Sequence, residues 1–154
     1  MAATLTQVWE AICSHTATRT GLQVWALAEP NMGLPALIVP PLPASGLERG
    51  TFGGNFYWRG RGGGPAVWTL TLVVSADLLK AAAGTLLMFS DPTSERSVWS
   101  AFDPDDGDEH QTLGGVVDSC AVLSVSDQRA VEVDDQLLGW GFDFELAVQA
   151  QRRS

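Results

Sequence analysis

The chain has 154 residues, 45% of them hydrophobic and 18% charged, a composition typical of one globular domain and not of a disordered protein. Its 9 Lys and Arg residues against 18 Asp and Glu residues give a formal net charge of −9. This charge argues against a protein that binds nucleic acid by neutralising phosphates, although DNA could pass along its surface without adhering. No apolar run approaches the ~18 residues that a bilayer span needs, and we expect no secretory signal. Cys13 and Cys120 are far apart and flanked by apolar residues, which favours buried free thiols in a reducing cytoplasm over a disulfide.

The first part of the chain predicts a helix followed by short extended segments. Apolar residues recur on one face of this helix at three- and four-residue spacing: Leu5, Val8, Trp9 and Ile12. Thr4 with Gln7 fits a capping box, and Gly21 is a natural stop. Residues 22–28 then predict a strand. Residues 36–43 predict an extended segment that its prolines confine to a sheet edge or to the end of a strand.

The middle of the chain predicts a hairpin and a second helix. Residues 51–75 are typical of a hairpin with a long glycine-rich tip, "WRGRGGGP", over 58–65. The second arm has one apolar face, formed by Trp68, Leu70, Leu72 and Val74. A helix capped by Ser75 follows, and its buried stripe is predicted to be Leu78, Leu79, Ala82, Leu86 and Phe89. Residues 94–102 predict one or two further helical turns.

The last part of the chain predicts two strand regions. Residues 116–126 form one strand, and the segment that follows forms a hairpin that turns near Asp134 and Asp135. Its final arm carries an apolar stripe at period two: Leu138, Trp140, Phe142, Phe144, Leu146 and Val148. Such a stripe needs a cover, which the amphipathic helices can supply. The sequence therefore predicts one α+β domain over 1–149, with a mostly antiparallel mixed β-sheet, two to three helices packed on one face, and a frayed tail over 150–154.

An acidic segment, "DPDDGDE" over 103–109, precedes His110 and raises the question of a metal site. A calcium loop of the EF-hand type needs oxygen ligands at fixed positions around a central glycine. Placing Gly107 at that glycine puts Pro104 at the third position and Leu113 at the twelfth, so the pattern fails. A transition-metal site needs several His or Cys residues at fixed spacing, and the chain has only two of each. We predict no metal, cofactor or catalytic residues, and interpret the segment as a solvated surface loop.

The glycine-rich run 58–65 permits three interpretations. A phosphate-binding loop is excluded, because Gly-Lys-Ser or Gly-Lys-Thr does not follow and a strand, not a helix, comes next. The run could be a flexible hairpin tip, or a loop that orders against a protein partner, because exposed aromatic and Arg side chains beside glycine are typical interface anchors. The third interpretation is a nucleic-acid contact of the kind made by RNA-binding Arg-Gly segments.

The order of elements resembles the tail terminator (tail-completion) proteins of long-tailed bacteriophages, in particular those of actinobacteriophages. The likeness spans roughly residues 5–148, in "LTQVWEAI", "TGLQVW", "LPALIVPP", "RGGGPAVWTLTLVVS", "DPTSERSVWSAF", "TLGGVVDSCAVLSV" and "LLGWGFDFELAV". "SERSVWSAF" followed by "TLGGVVD" and the last of these segments are the most specific. One departure is "LLKAAAGTLLMF", which is almost entirely apolar where such proteins carry more charge.

The resemblance implies a structural virion protein and no enzymatic activity. Tail terminators form a hexameric ring at the head-proximal end of the tail tube, end tube polymerisation and provide the docking surface for the head connector. The implied partners are further copies of the chain, the major tail tube protein, the head–tail connector protein and the tape measure protein. Double-stranded DNA would pass through the lumen without specific binding, and no membrane is involved. The protein would be made in the host cytoplasm and located in the virion, at the head–tail junction.

A closed ring needs two different, complementary patches on each copy. We predict a candidate subunit interface between one basic aromatic patch and one acidic patch, whose opposite charges would set the register. Its residues are Phe56, Tyr57, Trp58, Arg59 and Arg61 on one side and Asp105, Asp106, Asp108 and Glu109 on the other. Another head–tail connector, such as a stopper or adaptor, or a minor tail protein remains the main alternative. A small-ligand-binding protein or an enzyme is the other.

Overall fold

The computed structural model describes residues 3–75, 79–102, 112–126 and 128–150, without the side chains of residues 79–83 and 85. The helices are α1 (Leu5–Thr20) and α2 (Leu79–Ser90). The strands are β1 (Gln23–Trp25), β2 (Ala36–Ile38), β3 (Leu47–Phe52), β4 (Asn55–Gly60), β5 (Ala66–Val74), β6 (Ser119–Val125), β7 (Arg129–Val133) and β8 (Gln136–Gln149). Short 3₁₀ helices lie at Arg61–Gly63 and Ser100–Phe102.

Six of these strands form one mixed sheet in the order β1-β2-β5-β8-β6, and β7 pairs with β8 beyond the end of β6. All pairs are antiparallel except β1 with β2. Among the described strands, β3 and β4 pair with each other and with no third strand, as a separate two-stranded sheet. The predicted α+β class with a mostly antiparallel sheet is therefore confirmed. Strand β2 lies inside the sheet and ends at Ile38, so the prolines stand at the end of a strand, one of the two predicted placements.

Helix α1 begins and ends where its capping residues predict. The Thr4 hydroxyl accepts a hydrogen bond from the Gln7 N–H, and the Gln7 side chain accepts one from the Thr4 N–H. Gly21 has the left-handed conformation (φ 75°) and donates its N–H to the Ala17 carbonyl. Val8 and Ile12 are fully buried on the face that the spacing predicted.

The core lies between α1 and the aromatic face of the two central strands. Register places Trp68 opposite Leu146, Leu70 opposite Phe144 and Leu72 opposite Phe142, so these side chains share one face. All six belong to the core, with Val8 and Ile12 of α1 and Phe89 of α2. Each fully buried large apolar side chain contributes roughly 1.5–3 kcal/mol. The predicted stripe of β8 and its helical cover are confirmed for the described residues.

The prediction of a hairpin over 51–75 with its tip at 58–65 is wrong. Strand β3 instead pairs with β4, and the turn is Gly53-Gly54, with φ of 59° and 84°. Two consecutive residues with positive φ form the two-residue turn whose twist matches that of the flanking strands. The run after β4 is a 3₁₀ turn that carries the chain into the six-stranded sheet. Residues 47–60 are called the hairpin below.

Several further predictions agree with the described elements, and the helical turn predicted within 94–102 is the 3₁₀ helix Ser100–Phe102. The residues that would join the predicted Ser75 cap to α2, 76–78, lie outside the described part. Strand β6 lies inside the predicted strand 116–126, and the final hairpin turns at Asp134 and Asp135, both of which have positive φ. In α2, Phe89 is buried and Leu86 is half-buried. Leu78 and the side chains of Leu79 and Ala82 lie outside the described part.

Candidate protein-interaction surface

The hairpin forms a sheet separate from the six-stranded one and exposes aromatic side chains near its turn. Phe52 is 50% exposed and Phe56 is 63% exposed. The Arg49 guanidinium lies over the Phe56 ring, 4.7 Å from its centroid, and is itself exposed. A large apolar side chain at more than half exposure beside a cation is typical of a surface that binds a protein partner.

The base of the hairpin is fixed to the domain through Trp58. Its indole N–H donates a 3.0 Å hydrogen bond to the carbonyl of Ala3, and its ring meets that of Trp68 edge-on at 5.9 Å. The N–H of Gly60 donates to the Gly64 carbonyl at 2.8 Å, which closes the turn after β4. Trp58, which the sequence placed among the interface residues, is thus largely an anchor of the hairpin.

Glu48 and Arg59 form an ion pair at 2.7 Å across the hairpin. Hydrogen bonds from the backbone N–H of Gly62, then from Arg59 and the N–H of Gly63, lower the pKa of the Glu48 carboxyl against a weaker opposing effect of burial. The pKa of Arg59 is raised by its hydrogen bonds to Tyr57 and Glu48. The backbone of Gly62 and Gly63 therefore contacts the carboxylate of Glu48 in the hairpin. Of the predicted cations, Arg59 has its charge matched within the chain, whereas Arg61 is exposed.

Tyr57 lies on the same face of the hairpin as Glu48 and Arg59. A Cβ atom on Gly50, the residue opposite, would lie 2.7 Å from the Tyr57 ring, so the ring covers the backbone of Gly50. Tyr57 is half-buried in consequence. The predicted residues of this patch thus divide into an exposed set, Phe56 and Arg61, and a set engaged within the hairpin.

An open groove of about 460 Å³ separates the hairpin from the start of α1. Its lining is formed by Ala3, Thr4, Leu47, Glu48, Arg49, Phe56, Tyr57 and Trp58. The charge of Glu48 is matched by its ion pair with Arg59. The first turn of α1 carries no acidic residue, so the positive end of the helix dipole faces the groove unopposed by its own helix. The groove combines an apolar wall with positive charge, which suits a segment that carries carboxylates.

The acidic side of the predicted interface, Asp105, Asp106, Asp108 and Glu109, lies outside the described residues. Sequence reasoning also missed Arg49 and Phe52. The signal for both was "TFGGN", because a Gly-Gly pair between alternating residues is a hairpin turn that makes 47–52 a partner strand of 55–60.

Away from the hairpin, a polar cluster lies on the sheet face opposite α1. There, Asp143 accepts hydrogen bonds from Thr71 at 2.6 Å and from Arg129 at 2.8 and 3.1 Å. Burial raises the pKa of Asp143, but these hydrogen bonds and the charge of Arg129 outweigh it, so the pKa is lowered overall. In the described part of the chain, no three His, Cys, Asp or Glu side chains are grouped so that they could hold a metal ion.

Both cysteines are free thiols, as predicted. Burial, with a smaller effect of the Glu10 charge, raises the pKa of Cys13 to about 11. Burial raises the pKa of Cys120 to about 12. Neither is a reactive thiolate at neutral pH.

No model of a protein family matches the sequence, and none of the curated proteins is significantly similar to it. Among the described residues, neither helix has the length and hydrophobicity that crossing a membrane requires.

Proposed function

We propose that this protein is a structural virion protein of the tail terminator type. Six copies would form a ring at the head-proximal end of a phage tail tube, end tube polymerisation and provide the docking surface for the head connector. The hairpin carries this proposal, because its base is anchored and Phe56 and Arg49 are exposed together on one face, with Phe52 exposed on the other. Exposed aromatic and Arg side chains of this kind suit a contact between proteins. The resemblance of the sequence segments to tail terminators supports the same role.

The charge of the chain suits a ring through which DNA passes. Six copies, each at −9, would carry about −54. A field of this sign keeps a phosphate backbone away from the wall, since adhesion requires neutralisation by Lys and Arg. The hairpin, with Arg49 and Arg59, and the adjacent Arg61 would then face a protein neighbour and not the lumen.

The test is negative-stain electron microscopy of the purified protein mixed with tail tubes of the phage that encodes it. We expect a six-fold cap at one end of each tube and an arrest of further tube growth. The double variant Phe52→Ser, Phe56→Ser should lose the cap. Leu137→Ser, which changes a side chain of similar exposure (48%) outside the hairpin, should keep it. Tubes that grow unchanged and uncapped in the presence of wild-type protein would refute the proposal.

A further inference from the structure

We propose that the groove between the hairpin and the first turn of α1 binds the acidic segment 103–109 of a second copy of this chain. The contact deepens the proposed function and rests on it for the closure of a ring. It assigns the groove to one occupant, keeps the predicted Arg61 and replaces the predicted Arg59 with Arg49.

The groove is the positive side of this contact. Arg49 lies exposed at its wall over Phe56, and Arg61 lies exposed just beyond the hairpin's last strand. Glu48, the acid at the groove, is paired to Arg59 at 2.7 Å and accepts backbone N–H groups as well, so its charge is already matched. The dipole of α1 adds partial positive charge at Thr4.

The acidic segment is the negative side. Seven residues hold five carboxylates: Asp103, Asp105, Asp106, Asp108 and Glu109. The stretch 47–65 holds three Arg against one Glu in a chain whose net charge is −9. Two hairpins would repel each other, as would two acidic segments, so a contact between identical patches is disfavoured. A head-to-tail contact that joins unlike patches is favoured, and this is the kind that closes rings.

The geometry favours a second copy over the segment of the same chain. Phe102, the last described residue before the segment, is buried and stacks on His15 with ring centroids 6.1 Å apart. Along α1, His15 lies about 16 Å from Thr4, where the groove begins. Asp105 and Asp106 follow Phe102 by three and four residues and reach at most about 14 Å from it. A second copy can supply the full set of carboxylates without this restriction on reach.

Sedimentation velocity at low and high salt tests the contact with two complementary variants. The groove variant is Arg49→Glu with Arg61→Glu, and the segment variant is Asp105→Asn, Asp106→Asn, Asp108→Asn and Glu109→Gln. We expect each alone to self-associate at least about tenfold more weakly than wild type at low salt, with a smaller difference at high salt because the charges are screened. Mixed, they should form a one-to-one dimer and nothing larger, because each copy then has one intact patch.

The matched control is Arg152→Glu with Arg153→Glu, which changes the net charge equally, lies outside the described residues and should leave self-association unchanged. Near-ultraviolet circular dichroism confirms that each variant is folded. The inference is overturned if the groove variant assembles like wild type, if the mixture stays monomeric, or if wild type stays monomeric at every concentration in low salt. A monomeric wild type that still caps tail tubes would contradict this contact alone. A self-associating protein that never caps them would contradict the proposed function alone.

Discussion

Strand β8 and the hairpin carry the same kind of sequence and differ in their surroundings. In β8, Phe142, Phe144 and Leu146 alternate with smaller or polar residues, and in the hairpin Phe56 and Trp58 do the same. Strand β8 has paired strands on both sides and α1 over its aromatic face, so Phe144 is fully buried. Within the described residues, strand β4 pairs with β3 alone and is covered at its base, so Phe56 remains exposed. Strand β8 therefore stabilises the fold, whereas the end of the hairpin is available for binding.

The largest expected effect is on stability, and it distinguishes a buried aromatic ring of β8 from an exposed one of the hairpin. Phe144→Ala should lower the free energy of unfolding by about 3–5 kcal/mol, because it removes a fully buried ring and leaves a cavity. Phe56→Ala should change it by no more than about 0.5 kcal/mol, because that ring is largely solvated. Guanidinium unfolding followed by circular dichroism measures both. Equal losses would show that the hairpin is part of the folding core.

Substitution of two glycines, Gly60 and Gly64, tests whether the base of the hairpin is fixed to the domain. A Cβ atom on Gly60 would lie 2.2 Å from the carbonyl oxygen of Pro65, a backbone atom that cannot swing away. Gly60→Ala should therefore cost about 1–3 kcal/mol. Gly64→Ala, where a Cβ meets no atom of the described part of the chain within 4 Å, is the control and should cost less than about 0.5 kcal/mol. Thermal unfolding of the two variants decides, and a tolerated Gly60→Ala would show that the base is loosely held.

The sheet face opposite α1 should respond to pH through Asp143. Its lowered pKa means that the carboxylate stabilises the folded state above the ordinary aspartate pKa of about 4, and that this contribution is lost as the pH falls through the lower folded-state value. Asp143→Asn should therefore cost about 1–2 kcal/mol at pH 7, and the difference from wild type should shrink at low pH. Urea unfolding at several pH values measures it. A difference that is constant with pH would exclude the Arg129 and Thr71 contacts as its cause.

The smallest effect concerns the hairpin's own ion pair. Glu48→Gln weakens the bonds that hold the N–H groups of Gly62 and Gly63. We expect these two amides to exchange hydrogen faster by NMR, while the unfolding midpoint of the domain stays unchanged. Unchanged exchange at both glycines would show that the turn after β4 is held by Gly60 and Gly64 alone.

The sequence predicted the fold where local signals agreed with burial. The capping box of Thr4 and Gln7, the Asp134-Asp135 turn and the stripe of β8 are each fixed by neighbouring residues. The parallel pairing of β1 with β2 was not predicted, because it joins segments 13 residues apart that are each three residues long. The hairpin turn was predicted at the wrong place because both Gly53-Gly54 and the run 62–64 can form a turn. The contact of Gly62 with Glu48, which distinguishes the two, is not local in sequence.

The candidate surface was predictable only in part. Phe56 and Trp58 are both aromatic and lie on the same face of β4. Trp58, however, donates a hydrogen bond to Ala3 and packs against Trp68. That distinction depends on where the start of α1 lies relative to the hairpin, which no local pattern encodes. Likewise Arg59 and Arg61 differ because only Arg59 lies directly opposite Glu48 in the register.

Hydrogen–deuterium exchange of the protein, free and bound to tail tubes, tests most directly whether the sheet is the scaffold and the hairpin the binding surface. The account predicts that binding slows exchange in residues 47–61 and 103–109 and leaves the central strands β5 and β8 as they are in the free protein. Slowed exchange confined to other surfaces, with the hairpin unaffected, would contradict it.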